Sequence, residues 1–108
     1  MSTISDAFEF SELYKNANKW HCVGVIIFYL PCDEMKVAFV ASKKVGKSVL
    51  RNRAKRLLRV VFSSLSDTLS VGKYAFVAKS DFKDLDYLTF KKNVIWGLKK
   101  LKCLDPCV

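Results

Sequence analysis

The chain has 108 residues, a length that suits one domain over 1–108. Apolar residues make up 51% of it, so a hydrophobic core forms without disulfide or metal staples. Lys and Arg outnumber Asp and Glu by 19 to 10, a net charge of +9 that points to polyanions, nucleic acid before an acidic membrane surface. The excess is concentrated. Positions 35–66 contain no acid, yet Lys36 and the eight basic residues from Lys43 to Arg59 lie there. The longest apolar stretch, 23–31, is far short of the roughly 20 residues a membrane span needs. The opening MSTISDAFEF lacks the basic-then-apolar pattern of a secretory signal. A cytoplasmic protein with no membrane partner is expected, its cysteines reduced. Cys22, Cys32, Cys103 and Cys107, with the single His21, match no zinc template, and no metal ligand is assigned.

Residues 5–16 read as a short helix. Ser5 suits the N-cap, acids follow it, and Ala7, Phe10 and Tyr14 share a face. Residues 23–30, VGVIIFYL, are β-branched and aromatic and run into the turn signal PCDE, which predicts a strand. Within it Val25, Ile27 and Tyr29 alternate with Ile26 and Phe28, so both faces are apolar. One face meets helices; the other is covered or forms a cleft. Residues 36–42 form a second strand, and the short link predicts an antiparallel hairpin. The turn KKVGK leads into a helix from about Ser48 to Phe62. After a polar link over 63–72, residues 73–79 form a third strand. A last amphipathic helix spans 86–101, with Tyr87, Phe90, Val94, Leu98 and Leu101 on its apolar stripe. The order α-β-β-α-β-α describes an α+β sandwich with helices against one sheet.

The helix after KKVGK carries the strongest signal. Leu50, Ala54, Leu57 and Val61 make a core stripe. Lys47, Arg51, Lys55 and Arg59 make a basic stripe beside it, with Asn52 and Arg56 as a further row and Arg53 flanking. Like charges one turn apart repel by a few tenths of a kcal/mol per pair, and no Glu offsets them. All four arginines of the chain lie here, and their planar forks hold phosphates bidentately. The pattern calls for an external polyanion. KKVGK lacks the spacing of a nucleotide-binding P-loop, which excludes nucleotide hydrolysis, although the loop-to-helix junction suits a phosphate.

The segment SKKVGKSVLRNRAKRLLRVVF, 42–62, resembles the signature of the bacterial ribonuclease P protein subunit: a Ser-Lys-Lys turn, a Gly, then Arg-Asn-Arg, Lys-Arg and a further Arg along one helix. The resemblance implies a ferredoxin-like sandwich of order α-β-β-(β)-α-β-α. Its helices pack on one face of a mostly antiparallel sheet, and a left-handed crossover runs through the basic helix. It implies that the chain is the accessory subunit of an RNA-catalysed endoribonuclease, with no catalytic side chain of its own and no obligate protein partner. Its partners are then the catalytic RNA and precursor tRNA. The reaction is Mg²⁺-dependent hydrolysis that removes the 5′ leader, with the metal held chiefly by the RNA. By matching position, Ser42, Lys43, Lys44, Gly46, Lys47, Arg51, Asn52, Arg53, Lys55, Arg56 and Arg59 fall to the catalytic RNA. Phe10, Tyr14, Ile26, Phe28 and Lys79 fall to a leader cleft between sheet and first helix, where unpaired bases stack. The first helix departs from the family in its acids Asp6, Glu9 and Glu12, and the third strand ends in AKSD with one retained charge, Lys79. Two other classes remain open: a structural RNA-binding protein of ribosomal type, and a DNA-binding module with the basic helix in a groove. The second fits poorly, because a leucine stripe buries that helix against a sheet.

Overall fold

A computed structural model describes residues 2–3, 7–41 and 43–101. Its elements in chain order are β1 (Ser2–Thr3), α1 (Ala7–Asn16), β2 (Asn18–Cys22), β3 (Val25–Pro31), β4 (Lys36–Ala41), α2 (Ser48–Leu65), β5 (Gly72–Ala78) and α3 (Tyr87–Lys100). Short 3₁₀ turns at Lys43–Val45, Ser66–Thr68 and Ser80–Asp84 join them. The sheet order is β1-β4-β5-β3-β2. Among the four longer strands, β2–β3 and β3–β5 pair antiparallel and β4–β5 parallel, and the two-residue β1 adds a parallel edge to β4. The α+β class and the element order with the extra strand agree with expectation. No helix among the described residues is long and apolar enough to cross a membrane.

Three local expectations need correction. The link after Pro31 does not close a hairpin, because β5 lies between β3 and β4 and pairs with both. The sequence KYAFVA explains this: a strand apolar on both faces is stable only at the centre of a sheet, and its long-range pairing outweighs the short loop. Second, the predicted strand over 23–30 is divided at its start. Gly24 has φ 88°, a left-handed conformation that glycine tolerates, and it turns β2 back onto β3 in register Cys22↔Val25. Third, the helices do not all share one face. α2 and α3 cover the face carrying Val25, Ile27, Tyr29, Tyr74 and Phe76, whereas α1 packs on the other through Leu13, against Ala38 and Ala75.

The two faces differ in kind. The α2/α3 face holds the main core, with Tyr74 and Phe76 stacked along β5 and Phe62 edge-on to both. On the α1 face the alanines face each other in register, Ala38↔Ala75, and Ala75 in turn opposes Phe28. Two small side chains let the helix approach, and Leu13 fills the gap with 0% exposure. Burying such a leucine stabilises by about 2–3 kcal/mol. The N-cap expected at Ser5 lies outside the described residues.

Candidate nucleic-acid interface

α2 runs eighteen residues, three more than the sequence pattern predicts, and opens with Arg51 N–H donating to the Lys47 carbonyl at 3.0 Å. Its buried face is Ala54, Leu58, Val61, Phe62 and Leu65, while Leu50 and Leu57 are half-buried at the margin. The core stripe is therefore turned slightly from the one expected, towards Leu58. This turn brings Arg51, seven residues before Leu58, to the edge of the core. Arg51 is half-buried, and its Nε is buried with no hydrogen-bond partner among the described residues. An unsatisfied buried donor costs about 1–3 kcal/mol.

The remaining charges stand outward. Lys47, Arg53, Arg56 and Arg59 are exposed with Asn52, and Lys55 is half-buried. None of the four arginines has a carboxylate partner among the described residues. Arg59 lies 5.7 Å from the Phe39 ring centroid, a cation–π contact that steadies it. The charges also run against the helix dipole. The first turn of α2 has no acid and the last turn no base. Its cations gather in the N-terminal two-thirds, where the backbone already contributes positive potential. Such an arrangement costs stability in the free protein and makes a strong anion-binding surface. Lys44 is exposed in the turn before the helix. Ser42 and the side chain of Lys43 lie outside the described residues.

The second predicted cluster assembles on the opposite side of the sheet. Tyr14 on α1 meets Phe28 on β3 edge-on at 4.8 Å, and Phe10 lies 5.8 Å from Tyr14. Phe10 and Phe28 are half-buried and Tyr14 is 42% exposed. Burial raises the Tyr14 hydroxyl above its ordinary value, so it is a neutral donor at physiological pH. Beyond Phe28 the sheet face is open. Val40, Val77, Ile26 and His21 form one row across β4, β5, β3 and β2 by strand register, and none of them is buried. A cleft of about 360 Å³ lies there, lined by Ile26, Lys44, Val77, Ala78, Lys79 and Ser80. Lys79 Nζ donates to the Cys22 carbonyl at 2.9 Å, which uses one of its three donors and holds the ammonium at the rim. Ile26 and Phe28 do share a face, as their spacing predicts. Val40 and Val77 were missed. Their parity with Ala38 and Ala75 would have found them once β5 was known to be central.

Fold and site together define a small α+β domain with an arginine-rich helix on one side of its sheet and an aromatic groove on the other. The family model for ribonuclease P matches residues 2–102. The chain is 44% identical to the ribonuclease P protein component of a Nitratiruptor species over 102 residues, covering 94% of each. It is 35% identical to that of Caldanaerobacter subterraneus subsp. tengcongensis, covering 93% of this chain and 89% of the relative. Among solved structures, the Staphylococcus aureus RNase P protein superposes with a TM-score of 0.87 at 22% identity, covering 97% of this chain and 99% of that one. The Thermotoga maritima RNase P protein gives 0.79 at 18% identity, covering 93% and 97%. At those identities the structural likeness speaks to the fold. The chain belongs to the ribonuclease P protein family.

Proposed function

We propose that this chain is the protein subunit of ribonuclease P and that its two surfaces divide the work. The α2 surface, with Lys44, Lys47, Arg51, Asn52, Arg53, Lys55, Arg56 and Arg59, binds the catalytic RNA, joined by Ser42 and Lys43 in the preceding turn. The groove of Phe10, Tyr14, Ile26, Phe28 and Lys79 holds the 5′ leader of precursor tRNA. The observation that carries this reading is the arginine helix, set against its own dipole with no carboxylate partner among the described residues. If six phosphates are neutralised there, affinity falls by about three orders of magnitude over a fourfold rise in salt. The groove supports the second role. Its floor is apolar, its wall aromatic and its rim cationic, which suits unpaired bases joined by phosphates. An RNA-binding protein of ribosomal type explains the helix and leaves this groove without a use.

Catalysis is assigned to the RNA. Among the described residues no three His, Cys, Asp or Glu side chains gather into a metal site. The Mg²⁺ that activates water is ascribed to the RNA, and the protein's share is to bind and orient. The test mixes the protein with a bacterial ribonuclease P RNA and a precursor tRNA at low Mg²⁺. Cleavage should exceed the rate of the RNA alone. No stimulation, or equally fast cleavage without the RNA, overturns the proposal.

A further inference from the structure

α3 carries a feature that neither surface uses. Trp96 is 52% exposed. Lys92 and Lys100 stand four residues to either side of it and Lys99 three beyond, all on the same face of the helix. None of the three lysines has a carboxylate within ion-pair distance among the described residues, although Lys92 is drawn to the Asp86 carboxylate at the start of the helix. Lys100 Nζ lies 5.2 Å from the Trp96 ring centroid. Behind it Trp20, packed on the main core from β2, meets Trp96 edge-on at 5.4 Å and 69°. The indole is thus held by a half-buried neighbour and offered to solvent between cations.

The helix dipole accounts for only part of this. Lys99 and Lys100 in the last turn complement the helix dipole. The dipole gives no reason for a large aromatic ring to stand half in water beside them, nor for Lys92 on its other side. We propose that the Trp96 face of α3 is a third nucleic-acid contact, which takes a single-stranded segment by stacking one unpaired base on the indole. Lys92, Lys99 and Lys100 hold the flanking phosphates. Charge selects the occupant: a second copy of a chain at +9 would be repelled from a lysine cluster, whereas a polyanion is drawn to it. Base stacking on an exposed ring is tolerant of sequence, so the contact is one of position and not of base identity. It needs neither the arginines of α2 nor the Phe28 groove.

The chain has two tryptophans, which makes the site directly readable. In Trp20→Phe, Trp96 is the sole indole, and its emission is titrated with an oligouridylate of about ten nucleotides. Saturable quenching is expected. With three phosphates held, the midpoint should weaken roughly 20-fold over a fourfold rise in salt. The quenching should persist when Phe28→Ala and Arg56→Gln are added, which separates this contact from the other two surfaces. If Trp20→Phe fails to fold, Trp96→Leu is read instead by anisotropy of a labelled oligouridylate on the Phe28→Ala/Arg56→Gln background. Binding should weaken about fivefold or more. Emission that stays flat while the oligonucleotide binds overturns the proposal, as does quenching lost with Phe28→Ala, or unchanged affinity in Trp96→Leu. Emission that changes with protein concentration alone, with a doubled mass, marks a second copy as the occupant and overturns it equally.

Discussion

Arg56→Gln should make the free protein more stable and its RNA complex weaker. Arg56 is exposed, with Arg53 and Arg59 each three residues away on α2 and no carboxylate partner among the described residues. Removing its charge relieves two like-charge pairs, worth about 0.2–0.5 kcal/mol each. Gln matches Arg in helix propensity, so little is lost in exchange. The sum, about 0.4–1 kcal/mol, raises Tm by roughly 2–5 °C for a domain of this size. The gain should vanish near 1 M salt, where the Debye length is about 3 Å. Against the catalytic RNA the same change removes one phosphate contact, and the slope of log affinity against log salt should drop by about 0.9. Arg59→Gln is the control. It relieves similar repulsion but loses the contact with Phe39, about 0.5–1 kcal/mol, so its Tm should barely move. Thermal melts at low and high salt, with filter binding across a salt series, read all of this. A fall in Tm for Arg56→Gln at low salt would refute the claim that these charges strain the free protein. An unchanged salt slope would remove Arg56 from the RNA surface.

Three further outcomes are expected. Phe28→Ala removes a half-buried ring and its edge contact with Tyr14; it should cost about 2 kcal/mol in denaturant unfolding and reduce the preference for leader-bearing substrate about fivefold or more, while assembly with the RNA is unchanged. Gly97→Ala gains about 1 kcal/mol of helix propensity. It also places a Cβ 2.5 Å from Cys22 Sγ and 2.9 Å from Ile27 Cδ1, so the net effect should be a loss of about 1 kcal/mol, which Cys22→Ala in the same chain partly restores; a stabilised Gly97→Ala would contradict the packing described. Burial holds the Cys22 thiol above its ordinary value of 9.0, against weaker opposing effects of Lys79 and the Gly97 backbone. The folded state therefore favours the neutral thiol: that contribution is complete below pH 9, fades as the pH climbs past the raised value, and should be absent from the alkaline stability profile of Cys22→Ala.

The basic helix was legible because periodicity, charge and residue type agree over one continuous segment. Its ends and its exact rotation were not, since the depth of Arg51 depends on where Leu58 and Phe62 meet the sheet. The sheet was half legible. Each strand longer than five residues follows from its own composition, but the place of β5 depends on pairings 37 or more residues apart, as Ala38↔Ala75 and Ile27↔Phe76 illustrate. The Gly24 turn was hidden inside an apolar run. The aromatic groove was foreseen from Phe10, Tyr14, Ile26 and Phe28. Its floor, Val40 and Val77, needed the register. The Trp20–Trp96 pair joins two segments that no local pattern connects.

The central position of β5 also governs the order of events in folding. Among the described residues β3 and β4 do not pair with each other, and within the sheet they are joined through a strand that follows the arginine helix in the chain. Until residue 78 has left the ribosome, neither core can close, and α2 emerges as an unshielded run of cations. Long-range pairing of this kind is slow relative to local helix formation. The nascent chain therefore passes through an interval in which its arginine-rich segment is present and its sheet is not. During that interval these arginines are open to any nearby nucleic acid before the sheet that will carry them has formed.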